Sequence, residues 1–121
     1  MSATNTIETI TTDELRDRLA AGDVAEFWNV LTDEYFGGEF IPGSRRVPLD
    51  QVGREVAHRG FPRDTAIVVY CAGPTCPQSA QAAAKLVAYG FTNVRAYEGG
   101  LEEWQGAGLP VERRGLAASP A

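Results

Sequence analysis

One histidine, His58, and two cysteines, Cys71 and Cys76, are the whole supply of the usual zinc ligands in 121 residues, and basic residues number 11 against 16 acidic. Each shortage excludes something. So few histidines and cysteines leave no Cys/His zinc set, and two cysteines five positions apart do not form the disulfide framework of a small secreted domain. A formal net charge of −5 argues against a nucleic-acid surface or a polybasic membrane contact. No apolar run approaches bilayer-spanning length, and the opening "MSATNTIETI" lacks a basic region followed by an apolar stretch, so a soluble cytoplasmic protein is expected. Neither a metal nor an organic cofactor is implied. The chemistry that remains belongs to two thiols, reactive or buried.

What is present describes a folded domain. A hydrophobic content of 44% with two tryptophans excludes disorder for the body of the chain. The length suits one domain over residues 1–121, with its core at about 11–111, flexible termini, and "GLAASPA" as a frayed tail. "TTDELRDRLAAGD" places Thr11 three residues before Glu14, a capping box, with Leu15 and Leu19 on one helical face and Gly22 as a stop. Val24 to Leu31 reads as a buried strand and Thr32 to Arg46 as loop. Val47 to Leu49 is a short strand, followed by a helix carrying Val52 and Val56 that stops at Gly60. "AIVVY" before Cys71 is the continuous apolar run of a strand buried on both faces. A helix with Ala80, Ala83, Ala84 and Val87 on its inner face ends at Gly90, and Val94 to Tyr97 forms the next strand, completing a βαβ unit. A last short helix turns Leu101 and Trp104 inward. Strands alternating with helices predict an α/β domain: a central, mainly parallel sheet with helices on both faces and ligands beyond the carboxyl ends of its strands.

Cys71 occupies such an end. The loop "AGPTCPQS" joins it to a helix, whose first turn carries unpaired N–H groups and about half a positive charge, a setting that lowers a thiol pKa. Pro77 suits the first helical position and would leave the N–H groups of Gln78 and Ser79 facing an anion. Gly73 permits the turn, and Ala72, Thr75 and Cys76 add N–H donors around a central sulfur. The residues alone leave two readings of Cys71 open, a nucleophile in an anion cradle or a small buried hydrophobe at a strand end. Cys76 reads as a rim thiol held extended by Pro77, with its side chain outward and no bond to Cys71. His58, the Arg45–Arg46 pair and the Arg113–Arg114 pair read as solvated. Gly99–Gly100 is a turn whose backbone approaches closely if it abuts the Cys71 loop.

The ordered set "IPGSRRVPLD", "VVYC" with its glycine-containing loop, "SAQAAAKLVAYGFTNV", "YEGGLEEW" and "GLPV" resembles the rhodanese-like domain family over Thr11 to Val111. The resemblance implies the rhodanese-like three-layer fold and a single-domain sulfurtransferase. In such an enzyme Cys71 accepts a sulfane sulfur from thiosulfate or a persulfide and passes it to a thiol, cyanide or a protein acceptor, with Ala72 to Ser79 as the cradle, and Cys76→Ser is expected to retain most of this transfer. Four departures stand out. Asn29, Val30 and Leu31 replace an Asp-x-Arg triplet, and Glu39 and Phe40 replace a glycine and histidine before "IPG". The loop carries no arginine or lysine, and it is longer than the family's short cradle and holds a second cysteine. A long loop is also a feature of dual-specificity phosphatases and arsenate reductases, but Pro77 stands where their Cys-x5-Arg arginine would bind an oxyanion. Two further alternatives are a protein-binding or regulatory module and a thiol redox enzyme.

Overall fold

A computed structural model of the protein describes residues 7–113; the expectations for Arg114, the tail and the first six residues lie outside them. Along the chain run α1 (Thr12–Ala21), β1 (Glu26–Asn29), β2 (Glu39–Phe40), β3 (Arg45–Arg46), a 3-10 turn (Leu49–Gln51), α2 (Val52–Arg59), β4 (Ile67–Tyr70), α3 (Gln78–Ala88), β5 (Val94–Tyr97), α4 (Gly100–Gly106) and β6 (Glu112–Arg113). The central sheet has the order β3-β1-β4-β5 and every pairing in it is parallel. Thr9 adds a parallel bridge to Ala96 at the outer edge.

Side-chain alternation along these strands divides the interior in two. Trp28, Ile67, Val69, Val94 and Ala96 point to one face and meet Val52 and Val56 of α2 and Ala82, Ala83 and Leu86 of α3. Phe27, Val68, Tyr70 and Tyr97 point to the other and meet Leu15 of α1 and Trp104 of α4. All four residues of β4 are buried, as its unbroken apolar run requires in the middle of three layers. The capping box forms in full: the Thr11 hydroxyl accepts from the Glu14 N–H at 3.2 Å and the Glu14 carboxylate accepts from the Thr11 N–H at 3.0 Å. Gly22 then ends α1 with φ +76°. Trp104 is a core residue, its indole N–H donating to the Pro110 carbonyl at 2.8 Å and its ring edge-on to Tyr97.

Three local expectations are corrected. The strand placed at Val47 to Leu49 lies two residues earlier, in β3, because Pro48 has no N–H for a ladder and Leu49 enters the 3-10 turn. The presumed loop before β3 contains β2, which pairs antiparallel with β6 in the register Glu39↔Arg113 and Phe40↔Glu112; two residues are too few for a period to show in the sequence. On α3 the buried face is Ser79, Ala82, Ala83 and Leu86, while Val87 is exposed. A run of alanines has little hydrophobic contrast, and Leu86, the longest apolar side chain of the helix, takes the sheet-facing position.

Candidate active site

Cys71 leaves β4 at the carboxyl end of the sheet and is wholly buried. Pro77 is the N-cap of α3 rather than its first helical residue. The Gln81 N–H is the first to bond within the helix, to the Pro77 carbonyl at 3.0 Å, so the N–H groups of Gln78, Ser79 and Ala80 have no intrahelical acceptor. That of Ser79 donates to Cys71 Sγ at 3.3 Å. The Ser79 hydroxyl is buried beside the same sulfur, favouring its anion, and makes no conventional hydrogen bond among the described residues.

The loop is held in place largely by backbone. The Cys76 N–H donates to the Gly73 carbonyl at 3.0 Å, closing a turn over Gly73–Cys76. At the start of α4, the Leu101 N–H donates to the Cys71 carbonyl at 3.1 Å and the Glu102 N–H to the Ala72 carbonyl at 2.9 Å. Gly100 makes this approach feasible. Its φ is +59°, and a Cβ there would collide with the Cys71 carbonyl oxygen and stand 2.8 Å from Ala72 C and Gly73 N. The close approach expected of the glycine pair is thus realised at Gly100.

Other candidates take different places. Gln78 turns its side chain to Thr32, accepting from the Thr32 N–H and donating to its hydroxyl, each at 3.1 Å. The N–H of Cys76, expected around the sulfur, is committed to Gly73. Gly73 itself is buried under the Glu102 side chain, whose carboxyl carbon would lie 2.7 Å from a Cβ at this position. Ala72 is half-buried and Thr75 is exposed. Cys76 is half-buried rather than turned outward and packs against the apolar cluster that contains Cys71. Both cysteines are free thiols, as expected for the resting fold.

The Cys71 pKa is pushed up, opposite to the expectation for a helix N-terminus. Burial is the main cause and the adjacent Cys76 thiol adds to it; the Ser79 hydroxyl and N–H pull downward without prevailing. One N–H and one hydroxyl do not compensate for removing the thiolate from water. The resting thiol keeps its proton and shares it with the Cys76 carbonyl, the Sγ to O distance being 3.3 Å.

Two residues escaped the sequence reading. Arg46, expected in solvent, has a side chain only 14% exposed. Its guanidinium donates to the Asn29 carbonyl and Oδ1 at 3.2 Å each, to the Leu31 carbonyl at 2.6 Å and to Asp33 at 2.8 Å, and lies 4.0 Å from the Phe36 ring centre. Asn29 Oδ1 also accepts from the Leu31 N–H at 3.1 Å. Asn29 and Arg46 therefore brace the end of β1, where the family's Asp-x-Arg triplet is missing. Tyr70 is the other: buried, it accepts from the Ile41 N–H at 2.8 Å and bonds Ser44 at 2.7 Å, fixing the "IPGS" segment. Their hydrogen-bond partners are 13 to 29 positions away in the chain, beyond any local pattern. Arg113 is 67% exposed yet paired with Glu39 at 2.7 Å, and His58 lies in solvent as expected.

A cavity of about 400 Å³ opens beside the loop, with Leu31, Tyr35, Ala72, Cys76 and Pro77 among its walls. A larger one of about 590 Å³, near Glu26, Arg45 and Arg59, has no residue of the Cys71 loop in its lining. Among the described residues no cluster of three or more potential metal ligands occurs, and no helix is long and apolar enough to cross a membrane.

Residues 11–107 match the family described as Rhodanese-like domain. An HTH-type transcriptional regulator of Mycobacterium tuberculosis is 32% identical over 105 residues, covering 87% of this chain and 45% of the regulator. The chain thus spans less than half the length of that curated relative. Among solved structures, a rhodanese-like domain from an Anabaena protein is similar with a TM-score of 0.76 and 26% identity, over 96% of this chain and 86% of that one. A thiosulfate sulfurtransferase from Pseudomonas aeruginosa has a TM-score of 0.76 and 25% identity, over 88% of this chain and 20% of that one.

Proposed function

Because the chain belongs to the rhodanese-like domain family, we propose that it is a sulfurtransferase that carries a sulfane sulfur as a persulfide on Cys71 and passes it to a thiol or to cyanide. The observation that carries this reading is the Ser79 N–H aimed at Cys71 Sγ from the first turn of α3, with the Ser79 hydroxyl alongside. Anionic sulfur is stabilised where donors are fixed in advance and water is excluded.

With its pKa pushed up, Cys71 begins as a thiol. An anionic persulfide donor, R–S–S⁻, takes the Cys71 proton. The resulting thiolate attacks the outer sulfur of R–S–SH, the donor S–S bond breaks with its electron pair on the inner sulfur, and R–S⁻ departs. The new Cys71–S–SH returns its proton to R–S⁻, leaving Cys71–S–S⁻ and R–SH. Cyanide then attacks the outer sulfur, producing thiocyanate and the Cys71 thiolate; a thiol acceptor takes the sulfur in the same way and becomes a persulfide. Residues 72–78 contain no arginine or lysine, and the Glu102 carboxylate lies over Gly73. That charge balance favours a singly charged persulfide over the thiosulfate dianion.

The test is intact-mass measurement after exposure to a persulfide or polysulfide donor, with cyanolysis of the product. One sulfur atom should add to the wild type, and Cys71→Ser should abolish the addition while keeping the fold, since a hydroxyl forms no persulfide. Equal loading of that variant would end the assignment. A second reading, a regulatory or protein-binding module, is favoured by the similarity to a transcriptional regulator; it predicts no cyanolysable sulfur in the wild type.

A further inference from the structure

The long loop brings a second sulfur to the first. The turn closed by Cys76 N–H and Gly73 O reverses the chain over Pro74 and Thr75 and sets Cys76 back against Cys71, whose Sγ–H points at the Cys76 carbonyl 3.3 Å away. Cys76 packs against the apolar cluster that contains Cys71, and the Cys71 sulfur lies against the Cys76 main chain. Exposure separates them: Cys71 is wholly buried, whereas Cys76 is half-buried and lines the cavity of about 400 Å³. A persulfide on Cys71 therefore has a thiol next to it, held by the backbone at a high effective concentration.

We propose that Cys76 is a resolving thiol, which converts the Cys71 persulfide into a Cys71–Cys76 disulfide and releases hydrosulfide through the adjoining cavity. This rests on the sulfurtransferase reading and adds to it a route by which the bound sulfur leaves as sulfide. The Cys76 thiol gives its proton to the outer sulfur of Cys71–S–S⁻ and its thiolate attacks Cys71 Sγ. The Sγ to outer-sulfur bond breaks with its electron pair on the departing sulfur, which leaves as HS⁻. The sulfane sulfur is reduced to sulfide and the two cysteines together lose two electrons. An external dithiol, of small-molecule or protein origin, attacks the disulfide, restores both thiols and leaves as its own disulfide. Cys76 is in this respect a participant, against the expectation that its replacement leaves transfer mostly intact.

The deciding experiment treats the wild type, Cys76→Ser and Cys76→Ala with one equivalent of inorganic polysulfide without reductant, and follows intact mass, peptide-mapped disulfide and free sulfide. The wild type should pass to the disulfide with one sulfide per chain beyond what the donor leaves on loading, at a rate independent of protein concentration. Both variants should hold the added sulfur, with sulfide release slower by about a hundredfold or more. A wild-type persulfide as long-lived as that of the variants, with no disulfide, would overturn the resolving role and leave the sulfurtransferase reading standing. Failure of all three proteins to gain sulfur would remove that reading and this inference together. A disulfide forming at a rate proportional to protein concentration would mean exchange between molecules, and would also overturn the proposal.

Discussion

The loops that follow the two central strands are built on opposite principles. After β1, the chain is held by side chains: Asn29 caps the Leu31 N–H, Arg46 gathers the Asn29 and Leu31 carbonyls with Asp33, and Gln78 brackets Thr32. After β4, the loop is held chiefly by main chain, through the Gly73–Cys76 turn and the two N–H groups that α4 donates to Cys71 and Ala72. A loop braced by side chains depends on their identities and uses up their chemistry. A loop braced by backbone leaves its side chains available, and both thiols stand in the backbone-braced one. Its dependence on sequence falls instead on a residue that must lack a side chain, Gly100.

Breaking the backbone bracing should have the largest consequence. Gly100→Ala combines a left-handed φ with a Cβ driven into the Cys71 carbonyl, and is expected to cost on the order of 3 kcal/mol of stability and to displace the cradle. Denaturant unfolding together with sulfur loading checks both; a variant with wild-type stability and loading would show that α4 does not hold the loop. Removing the side-chain brace should do less at the sulfur. Arg46→Ala, by orphaning the carbonyls it serves, is expected to cost about 2 kcal/mol while Cys71 still loads. Arg46→Lys should recover only part of this, since an ammonium cannot reproduce the planar fork.

The comparison is sharpened by pH. With Cys71 pushed up by burial and then by the Cys76 thiol, loading from a neutral donor such as an organic trisulfide requires loss of a tightly held proton. Its rate should rise about tenfold per pH unit through and beyond the ordinary thiol pKa of about 8.5, levelling only above it. The sign for stability is the reverse. The folded protein holds this proton more tightly than the unfolded chain, so the contribution is complete below the unfolded pKa and is lost as pH rises through the folded one. A rate plateau below pH of about 8 would contradict the burial argument. The smallest effect is expected at Glu102, an exposed carboxylate: Glu102→Gln should improve thiosulfate use relative to a persulfide by about two- to threefold, and more at low salt than at high.

The layers were legible because their signals are local. The Thr11–Glu14 box, the apolar run before Cys71, the Val52–Val56 pair and the βαβ order all act within a few residues or one period, and each element stands close to where those patterns put it. The cysteine at the end of β4 was legible for the same reason, as was the N–H of Ser79 facing it. The inner face of α3 was misread because alanines scarcely differ from one another, and β2 with β6 was missed because two-residue strands carry no period.

By itself, then, the sequence determined the α/β layering, the position of Cys71 and the helix that begins beyond it, since propensity, capping and periodicity are properties of neighbouring residues. Only the tertiary structure decided the ionisation of Cys71, the packing of Cys76 beside it, the use of Arg46 and Tyr70 as braces, and the need for glycine at position 100. Those depend on burial and on close approach between segments distant in the chain. A helix terminus lowers a thiol pKa wherever water still reaches the sulfur; burying Cys71 removed that water and reversed the direction.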